Sequence, residues 1–583
     1  MNFKKIYAIA AAAAVAVPAA FAQQTLTKEI VVEREIEPSE RAANRPAWVS
    51  PSLYRPAITA HKLNIAQYDG TGTIRPFMPR LNAVAWNDTI AVSHHRGYAA
   101  IGYFPMLNLG VSAGYTIIDR KRETLGAWLQ YDGSSYKTHS RFLAPALAGT
   151  ADADDKVSVN RHVFRIGVDG EGRYSFGTVG VNATYMIGAG SQPDIARDYD
   201  QTATSAALDL SLTGRTDRPL GYWAGLSVGG FGYDKNMPGD MGKAAGDFTF
   251  GARGGLSHSV AYGSAGLDVD AAFQRYSRTG GYFATDLPGM LGFIGEDKAS
   301  TLGVVRLTPY YTLTRGTVSL KLGVNAAIGL GEGKKFHLSP DVSLSFAPIG
   351  GFAVWAKATG GMLLNTMASV YDITPFQPSA VTYGKSRYND VTGGITVGPF
   401  ASIALDLWGG YNIANDWLMT SRVGDYDMLT PQKIKGLHYG AKLSWQMRDI
   451  VRLYAGVEGA PNTGDKGYSL WRDHAKFVTT AGVSVKPFEK LTVSADWQLR
   501  THRKAWLYTP GVFGEAGAET PMFAVSETSL HEANKLNISA SYRLTPVFTI
   551  FANVENVLGK RWFVTPQIES APVHGLAGVS LVF

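Results

Sequence analysis

The chain alternates apolar and polar residues with a period of two from about Arg96 to its end. In the segment Leu491–Arg500, every odd position is apolar and every even position is polar. The segments 107–115, 318–328 and 536–544 repeat the scheme. Because successive side chains of a strand point to opposite faces, each segment predicts a strand with one apolar and one polar face. A soluble β-sandwich could use one such strand, but here the pattern continues through nearly the whole chain.

We count about 22 such segments, which suits strands of roughly 9 to 11 residues that cross a membrane. The predicted starts are residues 96, 107, 122, 159, 173, 203, 220, 245, 261, 299, 316, 335, 351, 390, 400, 435, 450, 473, 490, 531, 547 and 570. A barrel of 18 or 20 strands would fit the same pattern with other boundaries.

The predicted connections alternate in length. Links into odd-numbered strands are short, such as Gly170-Glu171-Gly172 and Met447-Arg448-Asp449. Most links into even-numbered strands are long: 136–158, 280–298, 364–389, 416–434 and 504–530. The first hairpin and the turn 331–334 are short exceptions. Outer-membrane barrels have this asymmetry between periplasmic turns and external loops, and an even strand number returns both termini to the periplasm.

The first 22 residues have the parts of a secretory signal peptide: Lys4 and Lys5, an apolar stretch, and Ala20-Phe21-Ala22 before the expected cut. No later stretch is long and apolar enough to predict a transmembrane helix. The 65 Gly, 28 Tyr and 12 Trp suit a membrane barrel, and the absence of Cys excludes disulfides and thiolate metal sites. The formal charge of +7 is too mild to predict nucleic-acid binding.

The predicted fold class is therefore all-β: a transmembrane antiparallel barrel of about 22 strands in the outer membrane of a Gram-negative bacterium. Residues 1–22 are the signal peptide, 23–95 an N-terminal periplasmic extension or reduced plug, and 96–583 the barrel. Outer-membrane lipid and the outer-membrane assembly machinery are the expected partners. The last strand, with Val579, Leu581 and Phe583 on one face, is expected to close the barrel.

Aromatic residues lie near many predicted strand ends and predict girdles at the two membrane interfaces. They are Tyr98, Tyr103, Tyr222, Trp223, Trp355, Trp497, Tyr542 and Trp562.

Charged residues on the polar faces are candidates for the lumen wall, where they would tune selectivity or pair across the interior. They are Lys321, Asp496, Arg500, Arg543 and Glu555. We find no nucleophile motif, phosphate loop or metal-ligand spacing. The sequence therefore predicts no catalytic residues, no metal site and no cofactor, and the protein is not expected to be an enzyme.

One stretch near the C-terminus resembles a known family. The residues Asn553-Val554-Glu555-Asn556-Val557-Leu558-Gly559-Lys560-Arg561-Trp562-Phe563, followed by a short loop and a last strand ending in Phe583, are similar to the closing hairpin of TonB-dependent receptors. The resemblance implies an outer-membrane receptor barrel. The chain departs from the family at its start, because residues 23–95 are about half a usual plug domain in mass and carry no plug motif.

The segment Ile30-Val31-Val32 resembles a TonB box, a β-prone peptide that adds to a sheet edge of the energy-coupling protein TonB. Two functions follow. In the first, the chain is a TonB-dependent receptor-like barrel that transports a substrate across the outer membrane. In the second, it is a plugless accessory or scaffold subunit of a multi-protein outer-membrane complex. Its lumen is then filled by an outer-membrane or periplasmic partner protein, or by its own loops.

Overall fold

The computed structural model describes residues 95–583 apart from short gaps. The gaps are 106–107, 140–155, 194–197, 216–218, 236–245, 279–281, 284–292, 295–300, 374–382, 401, 424–425, 449, 461–474, 511–522 and 565–568. The predicted signal peptide and the candidate coupling residues Ile30, Val31 and Val32 lie outside the described residues.

The described chain is almost entirely β-strand. The strands are β1 (Gly97–Phe104), β2 (Asn108–Arg120), β3 (Glu123–His139), β4 (Lys156–Arg173), β5 (Gly177–Pro193), β6 (Asp198–Gly214), β7 (Leu220–Tyr233), β8 (Gly246–Val260), β9 (Gly263–Arg278), β10 (Tyr282–Phe283), β11 (Phe293–Ile294), β12 (Thr301–Arg315), β13 (Val318–Leu330), β14 (Phe336–Ile349), β15 (Phe352–Leu364), β16 (Lys385–Phe400), β17 (Ile403–Val423), β18 (Tyr426–Met447), β19 (Val451–Gly459), β20 (Phe477–Phe488), β21 (Leu491–Thr501), β22 (Arg503–Pro510), β23 (Phe523–Leu530), β24 (Ala533–Arg543), β25 (Phe548–Glu555) and β26 (His574–Val582). One helix, α1 (Met367–Ile373), lies between β15 and β16.

Neighbouring strands pair antiparallel all the way round, and the described part of the chain forms a closed barrel of 22 strands. The last strand returns to the first: Val579 of β26 lies opposite Ile101 of β1, and Leu581 opposite Ala99. Phe583 continues this contact, because its backbone N–H donates to Gly97 O over 2.9 Å. The predicted fold class is confirmed. The remaining strands form two hairpins, β10–β11 and β22–β23, outside the barrel wall.

The outer surface of the barrel is apolar. Large hydrophobic side chains at alternate positions are exposed, for example Leu226 (49%), Leu256 (60%) and Leu338 (57%). In water this surface would be strongly unfavourable, since each buried Å² of apolar area is worth roughly 25 cal/mol. In a bilayer the same side chains meet hydrocarbon, and barrel closure leaves no strand edge unpaired in lipid. These exposed apolar side chains, the apolar belt, therefore identify the outer face of every strand.

Short turns lie at one end of the barrel, such as Gly316–Thr317 between β12 and β13. Gly316 has a φ of 57°, a conformation that glycine adopts without strain. Longer connections begin at the other end, after His139 of β3 and after Leu364 of β15. We assign the end with short turns to the periplasm, as the sequence predicted.

Two of the predicted external links contain strands. In 416–434, β17 and β18 stay paired up to Val423 opposite Tyr426, and 504–530 includes the hairpin β22–β23. The sixteenth barrel strand accordingly starts at Tyr426 and not at 435. The bulge between Ala414 and Trp417 marks where β17 shifts its register with β18. Beyond this bulge the side chains pack against other loops and not against lipid. The alternation of apolar and polar residues therefore no longer marks a lipid-facing side.

Candidate functional site: the barrel lumen

The inner wall of the barrel is polar and its charges pair between strands. Lys321 Nζ of β13 lies 2.6 Å from Asp341 Oδ2 of β14, and Arg306 Nη2 of β12 lies 2.6 Å from Asp270 Oδ2 of β9. These side chains alternate with outward apolar residues such as Leu322, which is 47% exposed. Pairing of this kind keeps a charged wall compatible with the low-dielectric shell of the membrane around it.

The five charged residues singled out from the sequence are all on inner-wall positions of their strands but do not form one cluster. Lys321 pairs with Asp341 as described, and its Nζ also lies 5.2 Å from the ring centroid of Tyr310. Asp496 accepts a hydrogen bond of 2.7 Å from the Tyr454 hydroxyl. Arg500 is fully buried at the upper end of β21, whereas Arg543 lies at the periplasmic end of β24.

The fifth residue, Glu555, is the centre of a buried ionic group at the top of β25. Lys535 Nζ lies 2.5 Å from Glu555 Oε2, and His574 Nε2 lies 3.9 Å from the same oxygen. The side chains of Glu555 and His574 are 8% and 9% exposed. This group links β24, β25 and β26, the three strands next to the closing seam.

The upper part of β15 parts from β14 but stays paired with β16 as far as Leu364 opposite Lys385, and it packs over the inner wall. Pairing between β14 and β15 ends at Asp341 and Thr359, although β15 continues to Leu364. Met362 then packs on the inner-wall residues Val304 and Ala327. The polar contacts follow the same course: Asn325 Nδ2 donates to Gly360 O over 2.9 Å. We call residues 360–373 the inner strap.

The strap ends in α1, which is docked on the inner wall by a small apolar cluster. Met367 and Tyr371 of α1 pack against Ala203, Phe231, Tyr276 and Leu302, from four different barrel strands. Thr366 caps the helix, because its hydroxyl accepts from the backbone N–H of Ser369 over 3.1 Å.

Asp247 of β8 holds the start of α1. Its Oδ2 accepts 2.8 Å from the backbone N–H of Met367 and 2.7 Å from Gln274 Nε2. Asp247 is 5% exposed and Gln274 is fully buried. A buried carboxylate that accepts two donors is a strong positional anchor.

Tyr371 of α1 is buried against the inner wall. Its ring lies 5.5 Å from that of Phe231, and the Arg161 guanidinium lies 5.8 Å from its centroid. Arg165 lies between Asp132 and Asp372, 3.9 Å from an oxygen of each. Burial raises the pKa of the Tyr371 hydroxyl, so it is neutral at physiological pH. α1 is thus attached to the wall by packing, one carboxylate and two arginines.

The family-like C-terminal stretch forms an ordered loop above the barrel. Asn556 has a φ of 52°, and its Nδ2 donates to Lys560 O over 2.8 Å and to Ala571 O over 2.9 Å. Phe563 packs with Ala505 and Leu530 of the β22–β23 hairpin. The motif therefore builds the connection between the last two strands.

The external hairpins support one another. Ser421–Val423 of β17 pairs parallel with Trp506–Tyr508 of β22. Trp506 also packs on the cluster of Tyr388, Trp417 and Ile434, which joins β16 to the β17–β18 hairpin. Strap, hairpins and C-terminal loop thus form linked contacts around the external mouth. Sequence reasoning missed them, because the period-two pattern does not show which strands bend inward.

One polar cluster on the wall was also missed. His438 Nε2 lies 2.8 Å from Asp390 Oδ1 and 3.2 Å from Thr392 Oγ1, across β17. Gly410 makes this possible, since a Cβ there would lie 2.6 Å from both His438 Nε2 and Thr392 Oγ1. The sequence shows that these polar residues alternate along their strands. It does not show which residues lie opposite one another on neighbouring strands.

Three of the predicted girdle residues face the lumen, and a fourth is buried in a loop. Trp223 donates from Nε1 to Asp268 Oδ1 of the inner wall over 3.2 Å, and Trp355 follows the outward Val354. Tyr98 also lies on an inner position. Tyr103 and Tyr542 do face outward, with exposures of 54% and 37%, whereas Trp562 is buried in the C-terminal loop.

Within the described ranges, no helix is long and apolar enough to cross a membrane. Among the same residues, no three His, Cys, Asp or Glu side chains are grouped so that they could hold a metal ion.

No protein-family model matches the sequence, and no curated protein sequence matches it. Solved structures do match. The ferric enterobactin receptor PfeA of Pseudomonas aeruginosa aligns over 84% of this chain and 80% of its own, with 11% identity and a TM-score of 0.61. The pyoverdine outer membrane receptor FpvA of P. aeruginosa PAO1 aligns over 84% and 78%, with 14% identity and a TM-score of 0.57.

The siderophore receptor PirA of Acinetobacter baumannii aligns over 84% of this chain and 80% of its own, with 10% identity and a TM-score of 0.58. These structures are receptors and not enzymes by name. At such identities the likeness concerns the fold. It agrees with the apolar belt and the closed sheet in placing the chain in a bacterial outer membrane. The chain is therefore an outer-membrane β-barrel whose fold resembles that of the TonB-dependent receptors, as its C-terminal stretch predicted.

Proposed function

We propose that this protein is a TonB-dependent receptor-like transporter that takes a substrate across the outer membrane. The observation that carries the proposal is a 22-strand barrel with the fold of siderophore receptors, in which the inner strap is folded onto the inner wall. A barrel of this size without filling would be a wide hole, and a strap on its wall narrows it.

In this proposal, residues 23–95 act as a reduced plug and Ile30-Val31-Val32 contacts TonB by adding a strand to its sheet edge. The lumen charges, among them Lys321 and Asp496, would contact the passing substrate. Because the similar structures are named for siderophores, a ferric siderophore is the first substrate class to test.

The test measures the uptake of a ferric siderophore by cells whose protein lacks residues 25–37. The matched control replaces the same residues by a Gly/Ser linker of equal length, with Ile30, Val31 and Val32 restored. We expect uptake to be lost in the deletion and recovered in the control, with the same amount of folded barrel in the outer membrane. Normal uptake by the deletion would overturn the coupling role.

The alternative, a plugless scaffold subunit, is favoured by the short extension of residues 23–95, about half the mass of a usual plug. Native purification of the tagged protein in mild detergent separates the two functions. A stoichiometric set of partner proteins would support the scaffold, whereas a barrel recovered alone and active in uptake would support transport.

A further inference from the structure

The periplasmic turns differ in charge from one side of the barrel to the other. The turn between β2 and β3 carries three consecutive basic residues, Arg120-Lys121-Arg122. On the opposite side of the barrel, the turns between β14 and β15 and between β16 and β17 lie within the segments 344–354 and 397–405, which contain no charged residue. Basic residues are therefore a property of particular turns and not of the whole periplasmic rim. We call Arg120–Arg122 the basic turn.

The basic turn starts on the lipid-facing side of the wall. On β3, Gly126 faces the lumen, since a Cβ there would lie 3.2 Å from the inner-wall carboxylate of Asp169. Residue Glu123, three positions earlier, therefore faces outward, and Arg120 lies directly opposite Glu123 and shares its face. Ile117, three residues before Arg120, is 52% exposed in the apolar belt. The basic turn thus begins directly below the belt.

Two pairs of exposed aromatic rings flank the basic turn. Tyr115 of β2 stacks on Phe583 with ring centroids 6.4 Å apart, and Tyr174 stacks on Phe176 in the next periplasmic turn at 5.4 Å. All four side chains are about half exposed. Aromatic rings take such positions where the hydrocarbon of a membrane meets the headgroups. The headgroup layer of the inner leaflet is therefore at the level of the basic turn.

The protein does not neutralise the cations of the basic turn. Arg120 has an ion pair with Glu123 at 3.7 Å, in which the two side chains are 78% and 47% exposed. An exposed pair of this kind contributes little. Within the described part of the chain, the side chains of Lys121 and Arg122 make no hydrogen bond or ion pair.

The other acidic residues near the turn are on the lumen side. Asp119 of β2 and Glu171 of β4 both lie opposite Thr124 of β3, which has the same facing as Gly126. Glu171 also pairs with Arg173 over 3.0 Å. The basic turn and its outward neighbour Glu123 therefore carry three positive charges against one negative charge.

We propose that the basic turn binds the phosphate of an anionic phospholipid in the inner leaflet of the outer membrane. Clusters of Lys and Arg beside a membrane attract anionic headgroups, and a guanidinium can bind two phosphate oxygens at once. The long side chains of Arg120 and Lys121 can extend along the belt while their charged ends stay in the headgroup layer. The rings of Tyr115 and Phe583 then lie beside the acyl chains. The position below the belt and between exposed rings favours a lipid over an acidic protein.

The experiment measures lipid binding to the full-length protein in mild detergent by native mass spectrometry. The probes are phosphatidylglycerol, which is anionic, and phosphatidylcholine, which has no net charge. We expect phosphatidylglycerol to bind about ten-fold more tightly, because each cation beside the headgroup adds to the attraction. The preference should weaken as salt is added, since the charges are exposed to solvent. Equal binding of the two lipids, or a preference that salt does not change, would overturn the proposal.

A charge-matched pair of variants tests the position of the site. Arg120→Gln, Lys121→Gln and Arg122→Gln together should abolish the preference for phosphatidylglycerol. The control removes three exposed cations elsewhere, with Arg315→Gln, Lys433→Gln and Lys435→Gln, and should keep it. An equal loss in both triple variants would show that total charge matters and not this turn.

A photo-reactive phosphatidylglycerol gives the position directly in the unmodified chain. Cross-linked peptides should come from residues 115–123 and 173–178. Cross-links confined to other parts of the barrel would refute the site, as would a basic turn that retains an acidic protein and no lipid. Because the readout is lipid binding, the result does not depend on transport.

Discussion

The Tyr371 hydroxyl occupies the space above Gly188, where a Cβ would lie only 2.0 Å from that oxygen. Gly188 belongs to β5, which also provides Met186 to the cluster under α1. Because Gly188 has no side chain, the wall has a gap at this position, the socket, which the Tyr371 hydroxyl fills. This contact holds the inner strap against the wall. The contact joins residues that are far apart in sequence, so it has no sequence signal.

Gly188→Ala should therefore release α1 from the wall. The added methyl group cannot share the space with the Tyr371 hydroxyl, and overpacking of this kind costs about 1–3 kcal/mol. We expect a larger single-channel conductance in planar bilayers, with the barrel still folded. The control is Gly190→Ala on the same strand, where a Cβ meets only Asn160 O at 3.3 Å. Equal conductance of the two variants would contradict a locking role for the socket.

Asp247→Ala should loosen the start of the strap. It removes the acceptor for the Met367 N–H and for Gln274, and a hydrogen bond to a charged group is worth about 1.5–3 kcal/mol. Hydrogen exchange should become faster at residues 367–371 and stay the same in the wall strands. Asp247→Asn keeps one oxygen acceptor and should show an intermediate effect. If protection of α1 is the same in all three proteins, Asp247 is not its anchor.

Much of the fold could be predicted from the sequence, because the membrane imposes one rule on every strand: apolar residues face the lipid and alternate with residues that face the lumen. Most predicted strand starts lie within about five residues of the observed ones. The rule fails where lipid is replaced by protein: above the bulge at Ala414, in the β22–β23 hairpin, and beyond Thr359 in β15. Trp223 and Trp355 were assigned to an interface girdle because their position near a strand end was visible, whereas their register against a glycine was not.

The turn at Asn556 should tolerate few substitutions. Its positive φ suits Asn or Gly, and its side chain holds two carbonyl oxygens of the C-terminal loop. Asn556→Ala should destabilise the folded barrel by about 2–3 kcal/mol, whereas Asn556→Gly keeps the backbone conformation and should lose less. The measurement is the temperature at which the folded band converts to the unfolded band on gels without boiling. A loss in Asn556→Gly as large as in Asn556→Ala would assign the effect to the hydrogen bonds alone.

The buried pair of Lys535 and Glu555 should make a cooperative contribution to the closing strands. Removing one partner leaves a buried charge unpaired, which costs about 3–5 kcal/mol. Lys535→Met and Glu555→Gln should each lower the unfolding temperature, and the double variant should recover a large part of the loss, because no unpaired charge remains. Lys504 and Glu527 provide the control pair: their oxygen and nitrogen are 2.6 Å apart, but the side chains are about 30% exposed, so a cycle there should show little coupling. Additive losses at Lys535 and Glu555 would mean that the two residues act independently, and that packing around β24 to β26, not charge pairing, holds the seam.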